Sequence, residues 1–266
     1  MKKITMFTLV MIFCMAAACT KKSDVQSVSV EYKADNISMK GYLASDNKIK
    51  GKRPGILLIH EWWGQDEPIR KRAKMLASLG YTVLAVDMFG DGKQAKDAEE
   101  AAKFAKEISE DMEVKKARFN AAMNLLKQQD TVDPEHIAAI GYSFGGYIAL
   151  EMARQGTDLD GIVTFYGGLT TKDPAQPNAV KAKILICQGD KDWYVPPHYV
   201  TEFTQEMKHA GADFRIITYE EAEHGFANPE AASYKDTFKM HYEYNEKADK
   251  KSWEDAQAFL KDIFRK

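Results

Sequence analysis

A serine between two glycines is the first feature of the sequence with a clear chemical meaning. Ser143 stands in the pattern G-x-S-x-G, with Gly141 and Gly145 two residues away, between an apolar run and helix-forming residues. A nucleophilic serine needs a tight turn that lifts its Oγ above a sheet, and glycine has no Cβ to crowd that turn. The pattern predicts a nucleophile elbow at Ser143. For the bare motif, an ordinary glycine-rich turn before a helix is the alternative interpretation.

A serine hydroxyl is a weak nucleophile, so it requires a base, and the base requires an acid that orients it. Among the six histidines, His224 is the candidate base, because it follows a predicted strand and Gly225 permits a sharp loop after it. Asp190 and Asp192 both follow another predicted strand, so either could be the acid. The chain order serine, aspartate, histidine is that of the α/β-hydrolase triad.

A serine nucleophile also needs hydrogen-bond donors for the oxyanion of its tetrahedral intermediate. The backbone N–H of Phe144, directly after the nucleophile, is one expected donor, and an earlier strand should supply the other from the loop that follows it. The sequence H-E-W-W-G at 60–64 follows such a strand, so the Trp62 N–H is the predicted second donor. Aromatic walls of an apolar pocket are expected from Trp62, Trp63, Tyr142, Phe89 and Trp193, and a place in the core is the alternative for the two adjacent tryptophans.

The predicted elements alternate between strands and helices. Strands are predicted at 27–33, 37–44, 55–60, 81–86, 136–142, 161–165, 183–187 and 214–219. Helices are predicted at 66–79, 95–129 with a break near Asp111, 197–209 and 251–264. This alternation predicts an α/β fold with a mostly parallel, doubly wound sheet and helices on both faces. Ligands bind beyond the carboxyl ends of such strands, which is where all three triad candidates fall.

The N-terminus has the pattern of an export signal. Residues 1–18 contain a lysine pair, an apolar run too short for a comfortable membrane span, and three alanines. Cys19 follows directly and resembles the lipobox of bacterial lipoproteins, which predicts a diacylglyceryl anchor. Ala16 stands where that pattern usually has leucine, so ordinary signal-peptidase cleavage is the alternative. We expect a protein of the bacterial periplasm, outer membrane or cell surface that contacts membrane only through this anchor.

The rest of the chain is predicted to form one domain. Residues 20–26 are polar and predict a short tether, and no repeat or second linker interrupts residues 27–266. The formal net charge of −2 gives no reason to expect a nucleic acid partner. Cys187 is the only cysteine within the predicted domain, so no disulfide framework is expected, and its apolar surroundings predict a buried strand residue.

Four motifs together resemble the dienelactone hydrolase family of α/β-hydrolases. They are H-E-W-W-G at 60–64, G-Y-S-F-G-G at 141–146, G-D-K-D-W-Y-V-P at 189–196 and H-G-F at 224–226. The resemblance covers roughly residues 27–228. It implies that Asp192, rather than Asp190, is the acid. It also implies that Glu61 contacts the nucleophile, and it agrees with Trp62 as an oxyanion donor.

The sequence departs from this family pattern in two places. Dienelactone hydrolase itself has a cysteine nucleophile, whereas this chain has Ser143, as many family members have serine. The family enzyme binds its substrate's carboxylate with an arginine shortly after the strand that matches 81–86. Here the sequence at 87–91 is D-M-F-G-D, with no arginine. An anionic lactone is therefore not the substrate that these residues favour.

These observations predict a serine hydrolase that cleaves a small-molecule carboxylic ester, including lactones, through an acyl-enzyme. No metal or organic cofactor is implied by the motifs. Thioester or peptide cleavage and acyl transfer are alternatives, because the same triad would serve them. A non-catalytic binding lipoprotein with a hydrolase fold is the alternative of a different class. Residues 229–250 could form a small cap over the site or simply a surface helix.

Overall fold

The computed structural model describes residues 24–265, so the predicted signal peptide, Cys19 and residues 20–23 of the predicted tether lie outside it. The strands are β1 Val25–Ala34, β2 Ile37–Asp46, β3 Arg53–Ile59, β4 Thr82–Val86, β5 Val132–Tyr142, β6 Gly161–Phe165, β7 Lys183–Gly189 and β8 Phe214–Tyr219. The helices are α1 Glu67–Ser78, α2 Ala98–Ser109, α3 Met112–Lys127, α4 Phe144–Arg154, α5 Pro197–His209, α6 Ala231–Phe238 and α7 Glu246–Ile263. No helix in this part of the chain has the length and apolar character of a membrane span.

The eight strands form one sheet in the order β1-β2-β4-β3-β5-β6-β7-β8. The first two pairings are antiparallel, and all pairings from β4 to β8 are parallel. Parallel strands need crossover connections, and helices supply those from β3 to β4, β4 to β5, β5 to β6 and β7 to β8. The predicted α/β-hydrolase fold, with a mostly parallel sheet, is confirmed.

Helices cover both faces of the sheet, which explains why the central strands are apolar along their whole length. Leu57 packs in one core with Phe119 of α3. Its neighbours on β3, Ile56 and Leu58, pack in the other core with Leu76 of α1. Since successive side chains of a strand point to opposite faces, a strand that is covered twice must be apolar at nearly every position. Cys187 on β7 is buried, as predicted.

Most element boundaries agree with the sequence patterns, and the differences have local causes. The long helical stretch divides at Asp111, whose carboxylate caps α3 by accepting from Glu113 N and Val114 N at 2.9 and 3.1 Å. Strand β1 begins at Val25, two residues before the predicted domain start, because its backbone pairs with Asp46 of β2. Helix α7 begins at Glu246, earlier than predicted, because Asn245 caps it.

Candidate active site

Ser143 occupies a strained turn between β5 and α4. Its φ is 49° and its ψ is −114°, a backbone conformation that a side chain rarely adopts. A Cβ at Gly141 would overlap the backbone of Gly145, and a Cβ at Gly145 would overlap the carbonyl oxygen of Ile59. Both glycines are therefore required for α4 to approach β3 and β5 closely enough to form the turn.

Ser143, His224 and Asp192 form a continuous line of hydrogen bonds. The Ser143 Oγ lies 2.8 Å from His224 Nε2, and His224 Nδ1 lies 2.9 Å from Asp192 Oδ2. An ionised carboxylate only accepts, so Nδ1 carries the proton and Nε2 is left to accept from the serine hydroxyl. His224 is 8% exposed and Asp192 is 5% exposed. This arrangement can take a proton from serine and stabilise the resulting imidazolium.

The loop after β7 determines which aspartate contacts the histidine. Asp192 Oδ1 accepts from the backbone N–H groups of Tyr194 and Val195 at 2.9 and 3.2 Å. Its Oδ2 accepts from Gln188 Nε2 at 3.0 Å. Asp190 is exposed, and its own N–H donates to a backbone carbonyl of β8. The geometry therefore brings Asp192, rather than Asp190, to the histidine.

The two predicted oxyanion donors belong to residues that line the same cavity as the serine. Phe144 is the first residue of α4, so its N–H belongs to the first turn and has no acceptor within the helix. Trp62 lines the cavity together with Ser143 and Phe144. His60 fixes the loop that carries Trp62. Its Nδ1 donates to the Glu61 carbonyl, and its Nε2 accepts from the Met88 backbone N–H at 3.1 Å.

His60 is a structural histidine that the sequence did not assign. It is fully buried, and burial lowers the pKa of its imidazole, which favours the neutral ring that can donate at one nitrogen and accept at the other. His60, Glu61 and His224 could have suggested a zinc site from sequence. Across residues 24–265, no group of three or more histidine, cysteine, aspartate or glutamate side chains is arranged to hold a metal ion.

The serine opens into a small, mostly apolar cavity, named here the catalytic cavity. Its volume is about 260 Å³. Its lining residues are Trp62, Ala105, Ser143, Phe144, Tyr147, Gly168, Tyr194, Val195, His224, Met240 and Tyr242. None of these described residues is a lysine, arginine, aspartate or glutamate. Met240 and Tyr242 follow α6, so the stretch 229–250 supplies one wall of this cavity.

Four of the predicted aromatic walls lie elsewhere, and those predictions are wrong. Trp193 is 67% exposed and stacks on His241, at 5.2 Å between ring centroids. Trp63 is buried and stacks on Tyr234 at 4.3 Å. Trp62 and Trp63 lie in a turn closed by the Gly64 N–H, which donates to the Glu61 carbonyl at 3.2 Å. The two side chains diverge at this turn, and of the two only Trp62 lines the catalytic cavity.

The other two misplaced walls, Tyr142 and Phe89, pack into the protein interior instead of lining the catalytic cavity. Tyr142 is the last residue of β5 and stacks on Phe165 of the neighbouring strand, at 4.5 Å between ring centroids. Its side chain belongs to the core on the opposite sheet face from Phe144. Phe89 packs edge-on against His60 at 4.7 Å and so supports the oxyanion loop from behind.

Sequence reasoning missed residues of the cavity wall both near the triad in the chain and far from it. Tyr147 could have been found, because it lies four residues after Ser143 and thus on the same face of α4. Tyr194 also had a signal, since it stands two residues after Asp192 in the same motif. Ala105 and Met240 carry no such local signal, because only the packing of α2 and the segment after α6 brings them to the cavity.

Glu61 does not have the contact that the family resemblance implied. Its Oε1 accepts from Tyr166 Oη at 2.9 Å and Asn228 Nδ2 at 3.3 Å, and its Oε2 accepts from the Tyr242 hydroxyl. Among the described hydrogen bonds, the Ser143 hydroxyl pairs with the histidine instead. Burial raises the pKa of the Glu61 carboxyl, and the two tyrosine hydroxyls oppose this rise. The prediction that Glu61 contacts the nucleophile is wrong, because three donors hold its carboxylate elsewhere.

A second, larger cavity, of about 480 Å³, lies beside Glu61 and is named here the acidic cavity. Its ionisable lining residues include Glu61, Asp66, Glu67, Lys71, Arg72, Glu230 and Asp249. Arg72 Nη2 donates to Asp249 Oδ1 at 2.5 Å and to a backbone carbonyl at 2.7 Å. Burial, followed by the nearby Glu61 charge, raises the pKa of Asp66 to about 7. Neither Ser143 nor His224 lines this cavity.

A model of the dienelactone hydrolase family matches residues 39–264. The chain belongs to the dienelactone hydrolase family. The resemblance inferred from the four motifs is therefore confirmed, and membership in this family makes the chain a carboxylic-ester hydrolase.

Individual relatives of this family member match it over most of its length. Protein usf of Aquifex pyrophilus is 28% identical over 204 residues, which are 75% of this chain and 86% of that protein. The solved structure of m3DLH is 30% identical with a TM-score of 0.86 and covers 91% of this chain and 99% of its own. A dienelactone hydrolase-like promiscuous phosphotriesterase from metagenomic libraries is 29% identical with a TM-score of 0.85 at the same coverage.

Proposed function

We propose that this protein hydrolyses carboxylic esters through an acyl-enzyme formed on Ser143. The observation that carries the proposal is the hydrogen-bonded line from Ser143 Oγ through His224 to Asp192, which opens onto the catalytic cavity. Family membership supports ester and lactone hydrolysis as the reaction class. The assignment of each residue's role rests on the geometry.

In the first half of the reaction, Ser143 Oγ attacks the acyl carbon while His224 Nε2 accepts the hydroxyl proton. The tetrahedral oxyanion receives hydrogen bonds from the backbone N–H groups of Phe144 and Trp62, each contributing roughly 10²–10³ in rate. The charged imidazole is stabilised by Asp192, which also fixes its tautomer. The intermediate then collapses, the ester C–O bond breaks, and His224 returns the proton to the departing alcohol.

In the second half, a water molecule enters the site vacated by the alcohol. His224 accepts a proton from this water as its oxygen attacks the acyl carbon, and the same two N–H groups stabilise the new oxyanion. Collapse of the second intermediate breaks the bond to Ser143 Oγ, which takes back the proton. The products are the carboxylic acid and a regenerated enzyme.

The catalytic cavity favours a small, uncharged substrate. Its volume of about 260 Å³ is below the usual range of roughly 300–1,000 Å³ for drug-sized ligands. An anionic acyl group would lose its hydration there without gaining a cationic partner among the described lining residues. Arg118 lies near the loop after β4, but it is buried on α3, where it donates to the Met88 carbonyl at 2.7 Å. It is not one of the residues that line the catalytic cavity, so it offers no partner to an anionic substrate there.

Turnover of matched esters tests the proposal. We expect the wild-type protein to hydrolyse p-nitrophenyl butyrate with kcat/KM at least about tenfold above that for the p-nitrophenyl monoester of succinate, which differs mainly by a carboxylate. Ser143→Ala should reduce turnover of both by about 10³-fold or more. Equal turnover by Ser143→Ala and wild type would refute the nucleophile, and preference for the anionic ester would refute the substrate class.

We also propose that the protein is exported and anchored through Cys19, on the pattern of residues 1–19. Metabolic labelling with a radioactive fatty acid in a bacterial host tests this proposal. The wild-type protein should incorporate label into the membrane fraction, whereas Cys19→Ala should not. Equal behaviour of the two proteins would contradict the anchor.

A further inference from the structure

The Glu61 carboxylate is held by donors from three separate parts of the chain. Tyr166 follows β6, Asn228 belongs to the loop that carries His224, and Tyr242 belongs to the segment after α6. Glu61 is 5% exposed and directly precedes Trp62. The groups that fix Glu61 therefore also fix the loop that carries the proposed oxyanion donor.

Tyr242 packs on the histidine loop as well. Its ring centroid lies 5.8 Å from that of His224, and the N–H of the next residue, Glu243, donates to the His224 carbonyl at 3.0 Å. Gly225 has a φ of 77°, and a Cβ on it would lie 2.5 Å from the Tyr242 Cζ. The tyrosine ring thus rests directly on the residue after the histidine and excludes any side chain there.

We propose that Tyr242 is a positioning residue that fixes the Trp62 N–H and the His224 imidazole relative to each other. Its hydroxyl is bound to Glu61, adjacent to Trp62, and its ring rests on Gly225, adjacent to His224. A single rigid side chain therefore joins the two loops that must meet around the tetrahedral intermediate. The inference rests on the proposed function and adds no covalent step to it.

This connection depends on the ionised form of Glu61, because a carboxylate accepts at both oxygens and offers no competing proton. Removing the Tyr242 hydroxyl takes away this connection and a donor to the carboxylate, so Glu61 is protonated more easily. The hydrogen bonds that remain on Glu61, from Tyr166 and Asn228, are then disturbed at a higher pH than in wild type. The titratable groups around Glu61 are Tyr142, Tyr166, His224, Asp66, Tyr234 and Tyr242.

Two tyrosine variants provide a matched test with p-nitrophenyl butyrate. Tyr244 lies two residues after Tyr242 and also donates to a carboxylate, Asp249 Oδ2 at 3.2 Å, but it lines the acidic cavity. We expect Tyr242→Phe to lower kcat about tenfold with KM within twofold, because a small displacement of catalytic groups acts mainly on the chemical step. Its acidic limb of kcat/KM should move to higher pH. Tyr244→Phe should leave kcat, KM and the pH profile unchanged.

Glu61→Gln gives a second test, which still applies if Tyr242→Phe does not fold, because a kcat equal to that of wild type in Glu61→Gln would overturn the inference. It removes the ionisation at position 61, so it should lower kcat by a similar factor, and adding Tyr242→Phe should produce little further loss. Additive losses, or a Tyr242→Phe profile equal to that of Tyr244→Phe, would overturn the inference. A wild type without esterase activity would instead overturn the proposed function, so the two failures are distinguishable.

Discussion

The two cavities on either side of the Glu61–Tyr242 hydrogen bond differ in size, charge and chemistry. Glu61 lines the acidic cavity, which is the larger, and Tyr242 lines the catalytic cavity. Only the smaller one contains the serine and the histidine, and its walls are mostly apolar. Its neighbour is lined by carboxylates, and its buried arginine already has a carboxylate partner. Reactive groups and their orientation, rather than cavity volume, therefore identify the catalytic site.

The largest expected effect is a loss of catalysis when the aspartate that contacts His224 is replaced. Asp192→Asn should lower kcat/KM for p-nitrophenyl butyrate by about 10²–10⁴, because an amide no longer fixes the histidine tautomer or stabilises the imidazolium. Asp190→Asn is the matched control on the same loop, since Asp190 is exposed. Its kcat/KM should stay within about twofold of wild type. A stronger loss in Asp190→Asn than in Asp192→Asn would contradict the assignment.

An intermediate effect is expected in the acidic cavity, on stability rather than rate. Arg72 and Asp249 form an ion pair whose side chains are 10% and 12% exposed. Arg72→Met should lower the free energy of unfolding by about 2–4 kcal/mol, because it leaves a mostly buried carboxylate without its partner. Urea unfolding measures this loss, and kcat at a temperature where the variant is folded should remain within about threefold.

The double variant Arg72→Met/Asp249→Asn sharpens that test. It removes both charges, so it should recover part of the lost unfolding free energy relative to Arg72→Met alone. No recovery would mean that the arginine stabilises the fold through packing against Tyr142 and Trp253, whose rings lie 5.9 and 5.3 Å from its guanidinium carbon. A collapse of kcat in the folded single variant would contradict the division between the two cavities.

Asp66 should have the smallest effect on turnover, but it should make the stability of the fold depend on pH. Its pKa is raised to about 7 in the folded protein, so between pH 4 and 7 the folded state holds a proton that the unfolded state has lost. Stability from this group is therefore present at low pH and lost as the pH rises toward 7. Asp66→Asn keeps an acceptor for the Ile69 N–H at the start of α1 and cannot ionise.

Relative to wild type, Asp66→Asn should gain unfolding free energy as the pH rises from 4 to 8, by up to about 4 kcal/mol for the full rise of the carboxyl pKa. Thermal or urea unfolding at a series of pH values measures this difference. A constant difference between the two proteins across that range would show that Asp66 does not titrate there. Kinetic parameters at pH 8 should be close to those of wild type.

The elbow was predictable from sequence because its requirement is local. A side chain at Gly141 or Gly145 would prevent α4 from approaching β3 and β5 at the strained serine, so the two glycines directly indicate this turn. The parallel strands were predictable for a similar reason, since burial on both faces makes them continuously apolar. The family resemblance favoured Asp192 over Asp190. The structure brings Asp192 to His224 through the conformation of the loop after β7, which the spacing of the two aspartates does not predict.

The pocket walls were not predictable from local patterns. Trp193 is next to Asp192 in sequence but is largely exposed, while Met240 lines the cavity from a segment without strong periodicity. Glu61 shows the same limit, because its partners Tyr166 and Tyr242 are 105 and 181 residues away in the chain. Side-chain direction in loops depends on packing between distant segments, and a single sequence contains no direct record of that packing.

The most direct test of the account is covalent labelling of Ser143 by a fluorophosphonate probe. The purified wild-type protein should react with one equivalent, and peptide mass spectrometry should locate the adduct on Ser143. Ser143→Ala should not be labelled, and Asp192→Asn should react far more slowly than Asp190→Asn. A folded wild-type protein that remains unlabelled, or an adduct on any other residue, would contradict the claim that the catalytic cavity is the site of the reaction.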